Sequence, residues 1–328
     1  MKIGSTDITP GSGNPYIVAE CGSNWHSFDD CALSIKEAAK AGANAVKFQL
    51  FNHHALYGVP QSKRSGYDDK YELPLDWLPR LKNACDQSRI DFMCTVFDHA
   101  AVRVVDPHVY AHKVASSDVN YEELLQEVNK LGKPVFLSVG AATEVEIAMA
   151  CSLLSATPVV VMYCVSGYPA KNVDLTIIDK LKRFSPYVGF SDHTLDYLYL
   201  PYAAAKFHGV SVLEKHFTAI KELTPDTPHS LNPVDFRFMV DRIRGKRSGN
   251  IGPTDEERDM ILRHKRRLVA VETIKKGELF KRSKNYGVYR SLGIDTKGLS
   301  PLYLSELHNK AATRDIDPGD TIGASDYS

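Results

Sequence analysis

Eight short apolar runs, at 16–22, 45–51, 91–97, 109–117, 134–140, 158–165, 187–193 and 210–217, punctuate most of the chain. They are near-continuous rather than alternating, as expected of parallel strands covered on both faces. Amphipathic segments separate them. Ala-Leu-Ser-Ile-Lys-Glu-Ala-Ala-Lys-Ala (32–41) is one, stopped by Gly42 just past the helix end. Thr143 followed by Glu146 is a capping box that opens another. Eight strand–helix units within residues 1–245 predict an α/β protein, a (β/α)8 TIM barrel, with a doubly wound open sheet as the alternative.

Residues 52–75 break the rhythm, and a loop of that length in a compact domain is often a functional lid. The polar, Gly- and Pro-bearing stretch 246–264 reads as a linker. Beyond it, residues 265–328 change texture: Leu-Val-Ala-Val-Glu-Thr-Ile-Lys-Lys-Gly (268–277) is echoed by Ala-Ala-Thr-Arg-Asp-Ile-Asp-Pro-Gly (311–319). Each pairs a strand with Ile-x-x-Gly, which predicts a small β-rich domain whose limited core favours docking on another surface.

Composition narrows the class. Forty basic and forty acidic side chains cancel among 328 residues, which gives no footprint for nucleic acid or a membrane surface. No apolar stretch approaches the ~18 residues of a span. The amino terminus lacks the apolar core of a signal peptide. Six cysteines occur without a CxxC, several inside apolar runs, so they read as small buried hydrophobes in a reduced, cytoplasmic setting.

A parallel barrel carries its chemistry at the carboxyl ends of its strands. The polar residues there are Glu20, then Lys47 and Gln49 (on one face of their strand), Thr95, Asp98, Lys113, Ser116, Ser117, Asp118, Ser138, Ser166, Tyr168, Ser191, Asp192, His193, Glu214 and His216. His193 and His216 end two consecutive strands, and paired imidazoles on one rim can hold a divalent metal. A lysine buried on both faces of a strand is costly unless it meets an anion. Ion pairs of Lys47 and Lys113 with Glu20, Glu214 or Asp118 are one explanation. The other is that both ammonium groups, with nearby hydroxyls, hold a phosphate or carboxylate. A Schiff-base lysine is a third reading; the histidine pair argues against it, because a Lewis acid polarises an aldehyde without one.

Ile-Val-Ala-Glu-Cys-Gly-Ser-Asn (17–24), Ala-Gly-Ala-Asn-Ala-Val-Lys-Phe-Gln (41–49), Lys-Val-Ala-Ser-Ser-Asp (113–118) and Gly-Phe-Ser-Asp-His-Thr-Leu (189–195) carry a further signal. So do Leu-Glu-Lys-His-Phe-Thr (213–218) and Pro-Asp-Thr-Pro-His-Ser-Leu-Asn-Pro (225–233). In this order they resemble the sialic acid synthase (N-acetylneuraminate synthase) family. The likeness includes a carboxy-terminal segment similar to its antifreeze-like (SAF, β-clip) module.

The resemblance implies condensation of phosphoenolpyruvate with an N-acetylmannosamine-type sugar aldehyde and release of phosphate. By it, His193 and His216 bind manganese or magnesium and act in catalysis with Glu20 and Gln49. Lys47, Thr95, Lys113, Ser116, Ser166 and Ser191 contact phosphoenolpyruvate. Gln49, Asp118, Tyr168, Asp226 and Arg290 meet the sugar, with Arg290 supplied across a domain-swapped homodimer. Glu20 is the candidate for handling the protons of the attacking water.

Departures from the family pattern bear on the sugar. Asn24-Trp25-His26-Ser27 replaces Asn-His-x-Gly, Ser166 stands where asparagine is common, and loop 52–75 is atypical. The acceptor is N-acetylmannosamine, its 6-phosphate or a diacetamido sugar. Lys63, Arg64 and Lys70 would suit a phosphate, or are simply solvated. The alternatives are a phosphoenolpyruvate-dependent synthase of the octulosonate or heptulosonate type, and a non-catalytic carbohydrate-binding relative.

Overall fold

The computed structural model describes residues 1–58, 69–245, 260–262, 264–290 and 298–328. Lys63, Arg64 and most of 246–264 lie outside the described residues. The chain divides into two compact units, Met1–Ser248 and Gly249–Ser328.

In the first unit the apolar runs become strands β1 (Tyr16–Gly22), β2 (Ala45–Leu50), β3 (Asp91–Val96), β4 (His112–Val114), β5 (Val135–Ser138), β6 (Val159–Tyr163), β7 (Tyr187–Asp192) and β8 (Val212–His216). All pair in parallel, and β8 returns to β1 from Val212↔Tyr16 to His216↔Glu20, closing the barrel. The open-sheet alternative is thereby excluded. β4 is far shorter than its apolar run because residues Ser116–Asp118 turn into a 3-10 helix.

Helices α1 (Phe28–Lys40), α2 (Trp77–Ser88), α3 (His99–Val105), α4 (Glu122–Leu131), α5 (Glu144–Leu153), α6 (Thr176–Leu181), α7 (Leu200–Lys206) and α8 (Pro233–Ile243) follow the strands in turn. α1 ends at Ala41, with Gly42 taking a φ of +89° beyond it. α5 starts on the Thr143–Glu146 capping box. Both boundaries are those the sequence predicts.

Strand alternation sorts the core into two clusters. One set of residues, among them Ile17, Ala19, Val46, Phe48, Phe92, Leu137, Val161, Phe190 and Leu213, packs against the helices. The alternate set fills the lower barrel: Tyr16, Val18, Ala45, Met93, Ala111, Phe136, Val160, Met162 and Val212. Ile3 and Ile8 join this second cluster from an amino-terminal hairpin that pairs Lys2–Ile3 with Thr6–Asp7. Gly189 is the β7 member of this packed interior, because a Cβ there would stand 2.8 Å from Met162 Cγ. Towards the carboxyl ends the same inward positions turn polar, as Glu20, Lys47, Gln49, Thr95, Lys113, Ser138, Ser191, Glu214 and His216.

The second unit holds antiparallel strands β9 (Arg266–Ala270) and β10 (Tyr286–Arg290). Its two echoed segments face each other: Ile274 and Ile316 exchange backbone hydrogen bonds of 2.9 Å and are both fully buried. Leu268, Phe280, Tyr286, Leu307 and Ile322 complete that small core. All six cysteines are free, five of them buried. Among the described residues no helix is long and apolar enough to cross a membrane.

Phe136 is fully buried in the lower barrel, its ring 6.2 Å from Tyr16. Phe136→Ala is expected to cost about 3–5 kcal/mol of stability, read by urea denaturation of the whole chain.

Candidate active site at the carboxyl end of the barrel

A cavity of about 550 Å³ opens over the polar upper layer. Its wall includes Glu20, Lys47, Gln49, Thr95, Lys113, Ser116, Ser166, Tyr168, Ser191, His193 and His216, brought together from seven of the eight strands or the loops that follow them. Ser138 and Glu214 also line it. Asp118 does not: it sits in the short helix after β4, paired with its neighbour Ser117 at 3.1 Å. Asp226 lies beside His216 rather than on the cavity wall, and Arg290 belongs to the second unit.

Two carboxylates and two ammonium groups occupy the floor. Lys47 Nζ is 2.6 Å from Glu20 Oε2 and 3.7 Å from Glu214 Oε1, and it donates to Thr95 Oγ1 at 2.7 Å. The ion-pair explanation therefore holds for Lys47. It does not hold for Lys113, whose Nζ donates to Ser138 Oγ at 2.7 Å and Val114 O at 3.0 Å. Among the described residues no carboxylate stands within ion-pair distance of it. Lys113 is a buried cation with hydroxyls around it and room for an anion.

The same surroundings split the two acids. Burial raises the Glu20 pKa to about 7, Lys47 opposing and Glu214 adding to the rise. For Glu214 burial is outweighed by Lys47 and Lys113, which bring it down to about 2. Burial also works against the Lys47 ammonium, but Glu20 and Glu214 outweigh it and raise its pKa. Lys113, lacking such contact, is lowered by burial. Gln49 Nε2 donates to Glu20 Oε1 at 2.7 Å and fixes the carboxyl that titrates near neutrality. Two carboxyls with separated pKa values in one pocket are the usual mark of acid–base work.

The imidazoles stand at one edge of this wall. His193 Nδ1 lies 2.8 Å from Val165 O, so the Nδ1–H donates there and leaves Nε2 as the acceptor nitrogen, 3.2 Å from Ser191 Oγ. Burial lowers the pKa of His193 to about 4 and of His216 to about 3, so both rings are neutral ligands at pH 7. Their centroids are 5.6 Å apart. Tyr168 stacks on His193 at 4.4 Å, with His229 5.0 Å and His216 5.8 Å from the same ring.

His216 also meets Asp226 and His229, their ligand atoms lying within 4.8 Å of one another. His216 Nδ1 and His229 Nε2 are buried without hydrogen-bond partners. Buried polar atoms left open in this way fit a cation site. Gly22 makes room for it, because a Cβ there would fall 2.1 Å from Asp226 Oδ2.

Behind the site, Lys215 and Asp192 point the other way from their catalytic neighbours and pair at 2.7 Å with no exposed side-chain surface. Lys215 Nζ also donates to the carbonyls of Thr194 and Asp196, holding the loop that follows His193. Burial lowers the Lys215 pKa and raises that of Asp192. Asp192 stands among the polar strand-end residues of the sequence, whereas neither Lys215 nor His229 is a candidate from it.

Lys47→Met strands two buried carboxylates and is expected to cost about 3–5 kcal/mol, whereas Lys113→Met, which breaks no contact ion pair, is expected to cost clearly less. Urea denaturation of the two variants checks the contrast.

The geometry agrees with comparisons to known proteins. The model of the NeuB family matches residues 34–250. An uncharacterized protein of Methanocaldococcus jannaschii is 35% identical over 98% of this chain and 97% of its own length. The pseudaminic acid synthase of Campylobacter jejuni is 30% identical over 95% and 96%. Among solved structures, the N-acetylneuraminic acid synthetase of Leptospira borgpetersenii superposes with a TM-score of 0.69 at 28% identity, covering 80% of this chain and 94% of that one. Relatives named for pseudaminic, legionaminic and sialic acids are thus nonulosonic acid synthases. This chain, with its polar barrel mouth and its matching strand ends, belongs to the NeuB family.

Proposed function

We propose that this protein condenses phosphoenolpyruvate with an N-acetylmannosamine-type amino sugar in its open aldehyde form, forming a carbon–carbon bond and releasing phosphate. The observation that carries the reading is Lys113, a buried ammonium beside Ser138 with no carboxylate in contact among the described residues. Such a group is expensive in a barrel unless an anion completes it. Lys47 adjoins it and Thr95, Ser116, Ser166 and Ser191 line the same wall, a set suited to a phosphate and a carboxylate together.

In this reading Lys47 and Lys113 hold the donor against the cavity floor. C3 of phosphoenolpyruvate attacks the aldehyde carbon, and C2 becomes cation-like. Water adds at C2, and the tetrahedral intermediate loses phosphate. Glu20, titrating near pH 7, takes a proton from that water, and Gln49 holds Glu20 in place. His193 and His216, with their neighbours, would hold manganese or magnesium, which when bound supplies Lewis-acid polarisation of the aldehyde oxygen. Tyr168, which stacks on His193 in the cavity wall, and Asp226, beside His216, are the side chains that would meet the sugar in this reading.

The reading extends to the second unit as an antifreeze-like module in a homodimer, with Arg290 serving the sugar of the other subunit. Its support is the motif Gly-Val-Tyr-Arg (287–290) and membership of the family. Sedimentation showing a monomer at working concentrations would remove that part.

With manganese present, phosphate is expected to leave phosphoenolpyruvate only when N-acetylmannosamine, its 6-phosphate or a diacetamido sugar is supplied. No release with any of them, and no rise in Tm with phosphoenolpyruvate, would overturn the reading. Glu20→Gln is expected to lower kcat by about 10²–10⁴ while phosphoenolpyruvate still raises Tm.

A further inference from the structure

The sequence points to two histidines as metal ligands, but the structure brings a third to the same place. His229 lies outside the strands, in a 3-10 helix spanning Thr227–His229. The segment after it folds back along β8. Leu231 N donates to His216 O at 2.9 Å, and Thr218 N donates to Leu231 O at 2.9 Å. Asn24, fully buried, ties the return in place by donating to Phe217 O at 3.0 Å and Ser230 Oγ at 2.8 Å. Ser230 Oγ in turn donates to Asp226 O at 2.7 Å. The loop is thus fastened on the sides away from His229, and the His229 ring stands 4.5 Å from that of His216.

Two buried ring nitrogens are open here: among the described residues His216 Nδ1 and His229 Nε2 have no hydrogen-bond partner. Asp226 Oδ1 is 3.3 Å from His229 Nε2, while Asp226 Oδ2 accepts from Ser23 N at 2.7 Å. An unsatisfied buried ring nitrogen carries a desolvation cost that a cation would relieve.

We infer that His229 is a ligand, with His216 and Asp226, of the divalent ion held at this edge of the barrel mouth, the three side chains offering ligand atoms within 4.8 Å of one another. The inference rests on the proposed reading for the presence of an ion, and adds that His229 is one of the side chains that hold it. The anchoring of the loop by Asn24 and Ser230 fixes the first ligands from behind, as outer partners do in other metal sites.

The test is Mn²⁺ binding to the full chain without substrate, followed by calorimetry and by the loss of the free-ion electron paramagnetic resonance signal. His229→Gln is expected to weaken Mn²⁺ binding by about 10–100-fold. Wild-type affinity in His229→Gln would overturn the inference. Should His229→Gln fail to fold, the unsubstituted chain still decides the matter: Zn²⁺ must move the ring nitrogen resonances of His229 as well as those of His216. An unmoved His229 would sink it. Phosphate release by the wild type is scored separately. Its absence alongside a His229-dependent ion would refute the synthase reading and leave this inference standing.

Discussion

Four charged side chains inside a closed ring of strands set the terms for everything else in the first unit. Lys47 lies against Glu20 and near Glu214, while Lys113 has no contacting acid. The charges sum to zero, but their distribution is uneven. One carboxyl is driven up to about 7 and the other down to about 2. Hydroxyls of Thr95 and Ser138 accept from the two ammonium groups and that of Ser191 donates to Glu214 Oε1, which offsets part of the cost of such an interior. The stability of the unit must therefore come from elsewhere, from the apolar lower barrel and the shell between strands and helices.

That division explains what could be read in advance. The strands were legible because both of their faces are buried, so each appears as an unbroken apolar run. The exceptions within those runs, Lys47, Lys113, Glu20 and His216, stood out for the same reason and proved to share one cavity. β4 was over-extended because the apolar stretch 109–117 contains a turn that periodicity does not register.

The rest was hidden for identifiable causes. His229 sits in a Pro-rich loop with no period, and its nearness to His216 depends on Leu231 pairing back to the end of β8, a contact no local pattern encodes. The proline-flanked stretch with an acid three residues before the histidine was the one available hint. Lys215 is hidden because it alternates with Glu214 and His216 and reads as a mere neighbour of them. Asp118 was drawn in by its place after β4, yet its carboxylate turns to Ser117. Arg290 stands in a separate unit, where the order of residues along the chain says nothing of distance.

The outward pair of Lys215 and Asp192 acts as a proofreading device for strand register. Sliding β8 by one residue would turn Glu214 towards the helices without a cation and thrust Lys215 into a chamber that already holds two ammonium groups. Sliding β7 would bury Ser191 outside and leave Lys215 facing no acid. Each error leaves a charge stranded in a dry setting, so misaligned barrels are disfavoured before any substrate is met.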